Sequence, residues 1–148
     1  IRPTFYNHFQ DKYELLEWII KAQLLDPIEP LVQNGMVNEA LTLLFTNIEK
    51  EKEFYSRAVR LEGQNSFGVI TQKCVEELLL KVIRKAETGK KGRYAWLTPE
   101  RIAEYYAQSM CYVTITWIRS GMTASARELT EIYQYIIKRS MEDVIQEL

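Results

Sequence analysis

The sequence predicts an all-α protein built around one main domain. Leu, Glu, Lys and Ala recur in long uninterrupted stretches, and all four are good helix formers. Four Pro and six Gly in 148 residues leave few positions that would break a helix. Hydrophobic content of 47% and charged content of 26% are ordinary for a globular domain, and the length fits one domain, alone or with a short extra segment.

The first complete helix is predicted from Asp11 to about Leu25. Asp11 suits the N-cap position, and Glu14 three residues later gives a capping-box pattern. The other side chains are mostly apolar and leave Glu14, Glu17 and Lys21 as a polar stripe. A helix that is apolar over most of its circumference packs on several sides, so we expect it to connect the N-terminal segment to the body behind it.

Three further amphipathic helices are predicted in the middle of the chain. They extend from about Val37 to Glu49, from Phe54 to Leu61 and from Ser66 to about Glu87. The basic segment 88–93 has glycines and lysines but lacks the strand–loop–helix context of a phosphate-binding loop. We therefore interpret it as a surface loop.

The last two predicted helices have the clearest boundaries. Thr98 is an N-cap followed by proline at the first helical position, and Gly121 ends this helix. Ser125 and Glu128 form a second capping box, from which the last helix continues to the C-terminus. Two neighbouring amphipathic helices at a chain end suit an antiparallel hairpin.

The N-terminal stretch TFYNHFQDKYELL, residues 4–16, combines aromatic and polar residues in a short helix, a turn and the start of the next helix. Phe5 and Phe9 are four residues apart and share a packing face. Thr4, Asn7 and His8 lie away from it and can meet base edges or phosphates. This stretch resembles the recognition helix and following turn of the TetR family of bacterial one-component transcriptional regulators.

The resemblance implies a particular domain organisation. Residues 1–10 would be the remnant of a helix-turn-helix DNA-binding domain, and residues 11–148 a ligand-sensing and dimerisation domain within a TetR-like helical bundle. The two helices that normally precede the recognition helix are absent, and there is no initiating Met, so we expect a truncated protein. Residues 117–122, WIRSGM, resemble the end of the penultimate helix in the branch that includes dihydroxyacetone-kinase-operon regulators.

The resemblance also implies double-stranded operator DNA as a partner. The positions that match the DNA-contacting side of the motif are Arg2, Thr4, Tyr6, Asn7, His8 and Lys12. Lys12 would grip a phosphate together with backbone N–H groups at the start of its helix. A homodimer would place two reading helices in successive major grooves, about 34–36 Å apart. The net charge of −1 argues against nucleic-acid binding over the whole surface but permits a small reading head.

Two further sets of site residues follow from this interpretation. The dimer would form a four-helix bundle, with interface residues Val113, Trp117, Leu129, Ile132, Tyr133, Ile136 and Ile137. Amphipathic aromatic residues and a methionine on different helices would line a pocket for a small-molecule effector. These pocket residues are Trp18, Phe45, Phe54, Tyr55, Tyr105, Tyr106, Met110 and Trp117. The same spacing is also typical of ordinary core.

Enzymatic function is not predicted. His8 is the only histidine, no cluster has metal-ligand spacing, and no catalytic residue, metal or cofactor is expected. The predicted function is a cytoplasmic, ligand-responsive DNA-binding regulator, with repression favoured and no membrane partner. The alternative is an all-helical interaction module that binds a partner protein. An enclosed pocket would favour the regulator, whereas a filled interior with an exposed apolar groove would favour the module.

Overall fold

The computed structural model describes residues 11–63, 66–86, 89 and 92–148, and these residues form eight α-helices and no strand. The predicted all-α class is confirmed. The helices are α1 (Lys12–Ile20), α2 (Glu29–Gln33), α3 (Val37–Lys50), α4 (Lys52–Ala58), α5 (Phe67–Ala86), α6 (Pro99–Arg119), α7 (Ala126–Ile137) and α8 (Met141–Glu147). A π-helical segment, Lys21–Leu25, continues α1 and is called the π turn below. No described helix is long and apolar enough to cross a membrane.

The three N-caps predicted at Asp11, Thr98 and Ser125 are confirmed by their capping hydrogen bonds. The Asp11 carboxylate accepts from the N–H groups of Tyr13 and Glu14, at 3.0 and 2.9 Å. The Thr98 hydroxyl caps α6 and the Ser125 hydroxyl caps α7 in the same way. Each cap satisfies N–H groups that have no partner inside the helix.

Two helices differ from the prediction. Helix α2 is additional to the predicted helices, and Pro30 lies in its first turn, where the missing N–H of proline is not needed. The last helix was expected to continue to the C-terminus, but α7 ends at Ile137. The Ser140 hydroxyl then accepts from the N–H of Asp143 at 3.1 Å and begins α8 as a separate helix. A serine that caps competes with helix continuation.

The helices pack in two main pairs around α1. Helix α5 packs along α6, and α3 packs along α7, so α7 makes its main contact with α3 instead of forming a close hairpin with α6. From α1 and the π turn, Leu16, Ile20, Leu24 and Leu25 are buried between these pairs. The predicted packing of the first helix on several sides is therefore confirmed.

The two cysteines, Cys74 and Cys111, are buried free thiols. Burial raises the pKa of Cys74 to about 11 and that of Cys111 to about 12. Both side chains are therefore protonated near neutral pH, and they pack as small apolar groups.

Two buried threonines differ in hydrogen bonding, and this difference predicts opposite effects on stability. The Thr71 hydroxyl has no hydrogen-bond partner among the described residues, whereas the Thr130 hydroxyl donates to the Ala126 carbonyl at 3.0 Å and accepts from Thr42 at 3.1 Å. We expect Thr71→Val to raise the free energy of unfolding by about 1 kcal/mol and Thr130→Val to lower it by about 1 kcal/mol. Urea unfolding of both variants measures this. A loss of stability in Thr71→Val equal to that in Thr130→Val would contradict the assignment.

Candidate functional site

Most of the predicted DNA-contacting residues precede the described part of the chain. Arg2, Thr4, Tyr6, Asn7 and His8 lie outside the described residues. Lys12 is described, and it is the exposed first residue of α1. Its ammonium lies 5.1 Å from the centre of the Tyr13 ring.

At the start of α1, the Asp11 side chain takes up the backbone N–H groups that the predicted phosphate contact would use. The prediction was that Lys12 and backbone N–H groups together hold a phosphate. However, the Asp11 carboxylate already accepts from the N–H groups of Tyr13 and Glu14. A phosphate at those N–H groups would have to displace an anion that is part of the chain. The ammonium of Lys12 is therefore the group that this end of α1 leaves available.

A hydrogen-bonded cluster around Gln23, which is itself exposed, holds the π turn to the body of the protein. The Tyr55 hydroxyl donates to Gln23 Oε1 at 2.9 Å, and Asn47 Nδ2 donates to the Gln23 carbonyl at 3.3 Å. Tyr55 is fully buried, and burial raises the pKa of its hydroxyl well above the usual range. The hydroxyl therefore stays protonated and acts as a donor. Gln23 thus connects the π turn to α3 and α4 at once.

Sequence reasoning did not identify Gln23. Its partners lie 24 and 32 residues further along the chain, so no local spacing connects them. Gln23 is exposed, so its amide side chain gives no sequence signal that it needs a protein partner. Its position in a π-helical segment is the structural signal, because such segments are uncommon and are often found at functional positions.

On its outer side, α1 is connected to α5 by charged groups. The Lys21 ammonium lies 3.5 Å from Glu17 Oε1 and 3.4 Å from Glu77 Oε2. The contact between Glu17 and Lys21 joins two members of the polar stripe predicted for this helix. These side chains are partly exposed, so each pair contributes at most about 1 kcal/mol.

Three of the predicted pocket residues form packed core instead of lining a space. Phe45, Tyr55 and Trp117 are buried, and the rings of Phe45 and Trp117 meet edge to face at 5.6 Å between centroids. The Trp117 indole N–H donates to the Ala124 carbonyl at 2.9 Å, which fixes its orientation. These aromatic groups fill the space between α3, α4 and α6.

The other five pocket residues are not buried. Trp18, Phe54, Tyr105 and Tyr106 are exposed, whereas Met110 is half-buried and packs against the core. The sequence placed these residues on amphipathic helices, but it did not show which face of each helix is covered. The described residues line open grooves of about 220 to 440 Å³, and among the eight predicted residues Phe54 alone lines one of the five.

The groove that includes Phe54 lies between α1 and α4 and is almost entirely apolar. Its volume is about 330 Å³, and we call it the apolar groove. It is lined by Lys12, Leu15, Leu16, Ile19, Phe54, Arg57, Ala58 and Leu61. Because the groove contacts α1 directly, a molecule bound in it would touch the first described helix of the chain.

The predicted dimer residues divide into two groups. Trp117, Leu129 and Tyr133 are buried within the single chain, so this conformation offers them no contact with a second copy. Leu129 and Tyr133 lie on α7, which packs on α3, whereas Trp117 lies on α6 and packs against the Phe45 ring of α3. Val113 is half-buried, and the exposed members of the set are Ile132, Ile136 and Ile137.

Helix α6 carries an exposed aromatic face that the predicted dimer set does not include. Tyr105 is 69% exposed and Tyr112 is 72% exposed. They are seven residues apart, which places them on one side of α6 two turns apart. Tyr105 was predicted to line a pocket, but the structure places it on this outer face.

Comparison of the sequence with known proteins finds similarity to transcriptional regulators. A protein-family model described as "Transcriptional regulator C-terminal region" matches residues 37–139. The chain is also 32% identical over 139 residues to the HTH-type dhaKLM operon transcriptional activator DhaS of Lactococcus lactis subsp. lactis (strain IL1403). That alignment covers 92% of this chain and 69% of the relative.

Removal of the Tyr55 hydroxyl tests the hydrogen bond between Tyr55 and Gln23. Tyr55→Phe leaves Gln23 Oε1 without its partner, so we expect the free energy of unfolding to fall by about 1 kcal/mol. Tyr112→Phe is the matched control, because Tyr112 is exposed and its hydroxyl is open to water. Chemical denaturation measures both variants, and equal stability of the two would contradict a role for the Tyr55 hydroxyl.

Proposed function

This chain belongs to the TetR family of transcriptional regulators, and we propose that residues 11–148 are the sensing and dimerisation part of a homodimer whose reading helix includes residues 1–10. The family makes it a DNA-binding transcriptional regulator. We place its action on operator DNA in the bacterial cytoplasm. The proposed DNA-contacting residues are still Arg2, Thr4, Tyr6, Asn7, His8 and Lys12.

The observation that supports the sensing role is the attachment of Gln23. Helix α1 starts beside the reading segment, and its π turn is held by hydrogen bonds from α3 and α4. A rearrangement of α3 or α4 would therefore change the tilt of α1, and with it the spacing of two reading helices in a dimer. An effector would act by favouring one tilt, to the extent that it binds that tilt more tightly.

Two classes of effector fit the described residues. A small molecule would have to displace the packed rings of Phe45, Tyr55 and Trp117, with Arg57 or Arg60 as candidate anchors for polar groups. A partner protein is the second candidate, and the open apolar groove favours it. An apolar side chain from such a partner would contact Ile19 of α1 and Phe54 of α4 without any displacement of the core.

Alanine substitution tests the placement of the reading head. In a protein carrying the complete helix-turn-helix, we expect Tyr6→Ala and Lys12→Ala each to weaken binding to an operator selected from random DNA by roughly 10-fold. Lys12→Ala should also reduce the slope of log K against log salt by about 1, because one phosphate contact is lost.

Lys52→Ala, at the start of α4, is the control and should change neither quantity. Unchanged operator affinity in Tyr6→Ala and Lys12→Ala would show that the reading helix is misplaced. A reporter gene behind the selected operator then distinguishes repression, which the sequence favours, from activation, for which the L. lactis relative is named.

Charge substitution on the exposed face of α7 tests the homodimer. We expect the wild-type chain to sediment at twice its mass of 17.5 kDa at micromolar concentration. Ile132→Glu with Ile136→Glu should give a monomer, because charges would be buried against the second copy. Val69→Glu places a charge at another exposed apolar position, on α5, and should leave the dimer intact. A monomeric wild type, or a dimeric α7 variant, would overturn the proposal.

A further inference from the structure

Helix α8 presents an apolar face that nothing covers within the described part of one chain. None of its residues is buried. Met141, Ile145 and Leu148 are all exposed, and their spacing of four and then three residues places them on one face. Glu142 and Asp143 add negative charge in the first turn.

This helix nevertheless has a defined position. The Ser140 hydroxyl caps its N-terminus, and the Arg139 guanidinium lies 3.5 Å from the Glu147 carboxylate. The hydroxyl of Tyr135, on α7, also hydrogen-bonds to Glu147. The helix that presents the exposed face is therefore joined to α7 by the chain at its start and by the contacts of Glu147 at its end.

A second uncovered apolar surface lies in the turn before α6. Residues 93–101, which we call the aromatic turn, carry Tyr94, Trp96 and Leu97, and all three are exposed. Trp96 is 69% exposed, and it is held in place by Arg101. The Arg101 guanidinium lies 4.4 Å from the centre of the indole ring and donates to the Trp96 carbonyl at 2.8 Å.

The aromatic turn has positive charge where α8 has negative charge. Arg93 lies 5.5 Å from the centre of the Tyr94 ring, and Arg101 stacks on Trp96. Within the described residues, neither arginine forms an ion pair, and neither do Glu142 and Asp143. Trp, Tyr and Arg are also the residue types most common at the energetic centres of protein interfaces.

The two surfaces complement each other but are not covered by each other in a single chain. Trp96 is largely exposed, and α8 has no buried residue. An interface between identical subunits requires one chain to carry both complementary halves, so that each contact occurs twice about a two-fold axis. A second copy of the chain meets that requirement.

We propose that α8 of one subunit packs on the aromatic turn of its partner. This inference rests on the proposed homodimer. Met141 and Ile145 would cover Trp96 and Leu97, and the acidic first turn of α8 would face Arg93 and Arg101. The two reciprocal contacts would extend the dimer interface beyond α6 and α7.

Crosslinking between differently tagged chains tests the contact. Ile145→Cys in one chain and Leu97→Cys in the other should give a covalent species that carries both tags when treated with a short bis-maleimide. Leu97→Cys mixed with Val69→Cys is the matched control and should give none. Absence of the product between Ile145→Cys and Leu97→Cys chains overturns the inference. So does a crosslink that forms only when one chain carries both substitutions, because the contact would then lie within a single chain.

Sedimentation separates this failure from failure of the homodimer. If the wild type is a dimer but the crosslink does not form, the docking of α8 is wrong and the α7 interface stands. If the wild type is a monomer, both proposals fail.

A charge swap gives an independent test. Glu142→Arg with Asp143→Arg in one chain, or Arg93→Glu with Arg101→Glu in another, should weaken each homodimer by roughly 10-fold, because like charges then meet at both contacts. In a mixture of the two variants, both contacts of the heterodimer become complementary, so we expect dimerisation to recover. Failure of the mixture to recover would overturn the inference.

Discussion

The hydrogen bond from Tyr55 to Gln23 is the constraint on which the arrangement of the helices depends. The buried Tyr55 hydroxyl is costly among apolar side chains unless it donates a hydrogen bond, and the exposed Gln23 side chain accepts that bond. Here the bond forms in one relative position of α1 and α4, whereas apolar contacts tolerate small sliding. Asn47 adds the third element, because it donates to the backbone of the same residue. The apolar packing supplies stability, and this cluster sets the register of the π turn against α3 and α4.

The register has a direct connection to regulation. In the proposed DNA-binding dimer, a small change in the orientation of α1 near the core would become a larger displacement at the proposed reading segment, because that segment precedes α1 in the sequence. A sensor of this kind needs a helix that is rigid along its length and has a defined attachment at one end. The buried residues Leu16 and Ile20 give rigidity, and Gln23 gives the attachment.

Local features of the structure could be predicted from the sequence, and long-range features could not. The capping residues Asp11 and Ser125 act within four residues, so the starts of their helices follow from the sequence alone. Exposure is different: Tyr105 and Trp117 lie on the same helix at helical spacing, yet Trp117 is 4% exposed and Tyr105 is 69% exposed. The neighbouring helices decide which side is covered, and their positions are set by the whole fold. For the same reason, the sequence predicted a pocket from aromatic residues that instead form either core or surface.

The π turn also bears on how such a regulator can evolve. A π-helical segment contains one residue more than a regular α-helical turn needs, so deletion of a residue there restores ordinary helical geometry. Because the wide turn accommodates that extra residue, the helix on its N-terminal side keeps nearly the orientation that it would have without it. A residue deleted from the regular part of α1 would instead rotate everything on its N-terminal side by about 100° and move it by about 1.5 Å relative to the body. The chain can in this way change length within the π turn without a change in the direction of its N-terminal end.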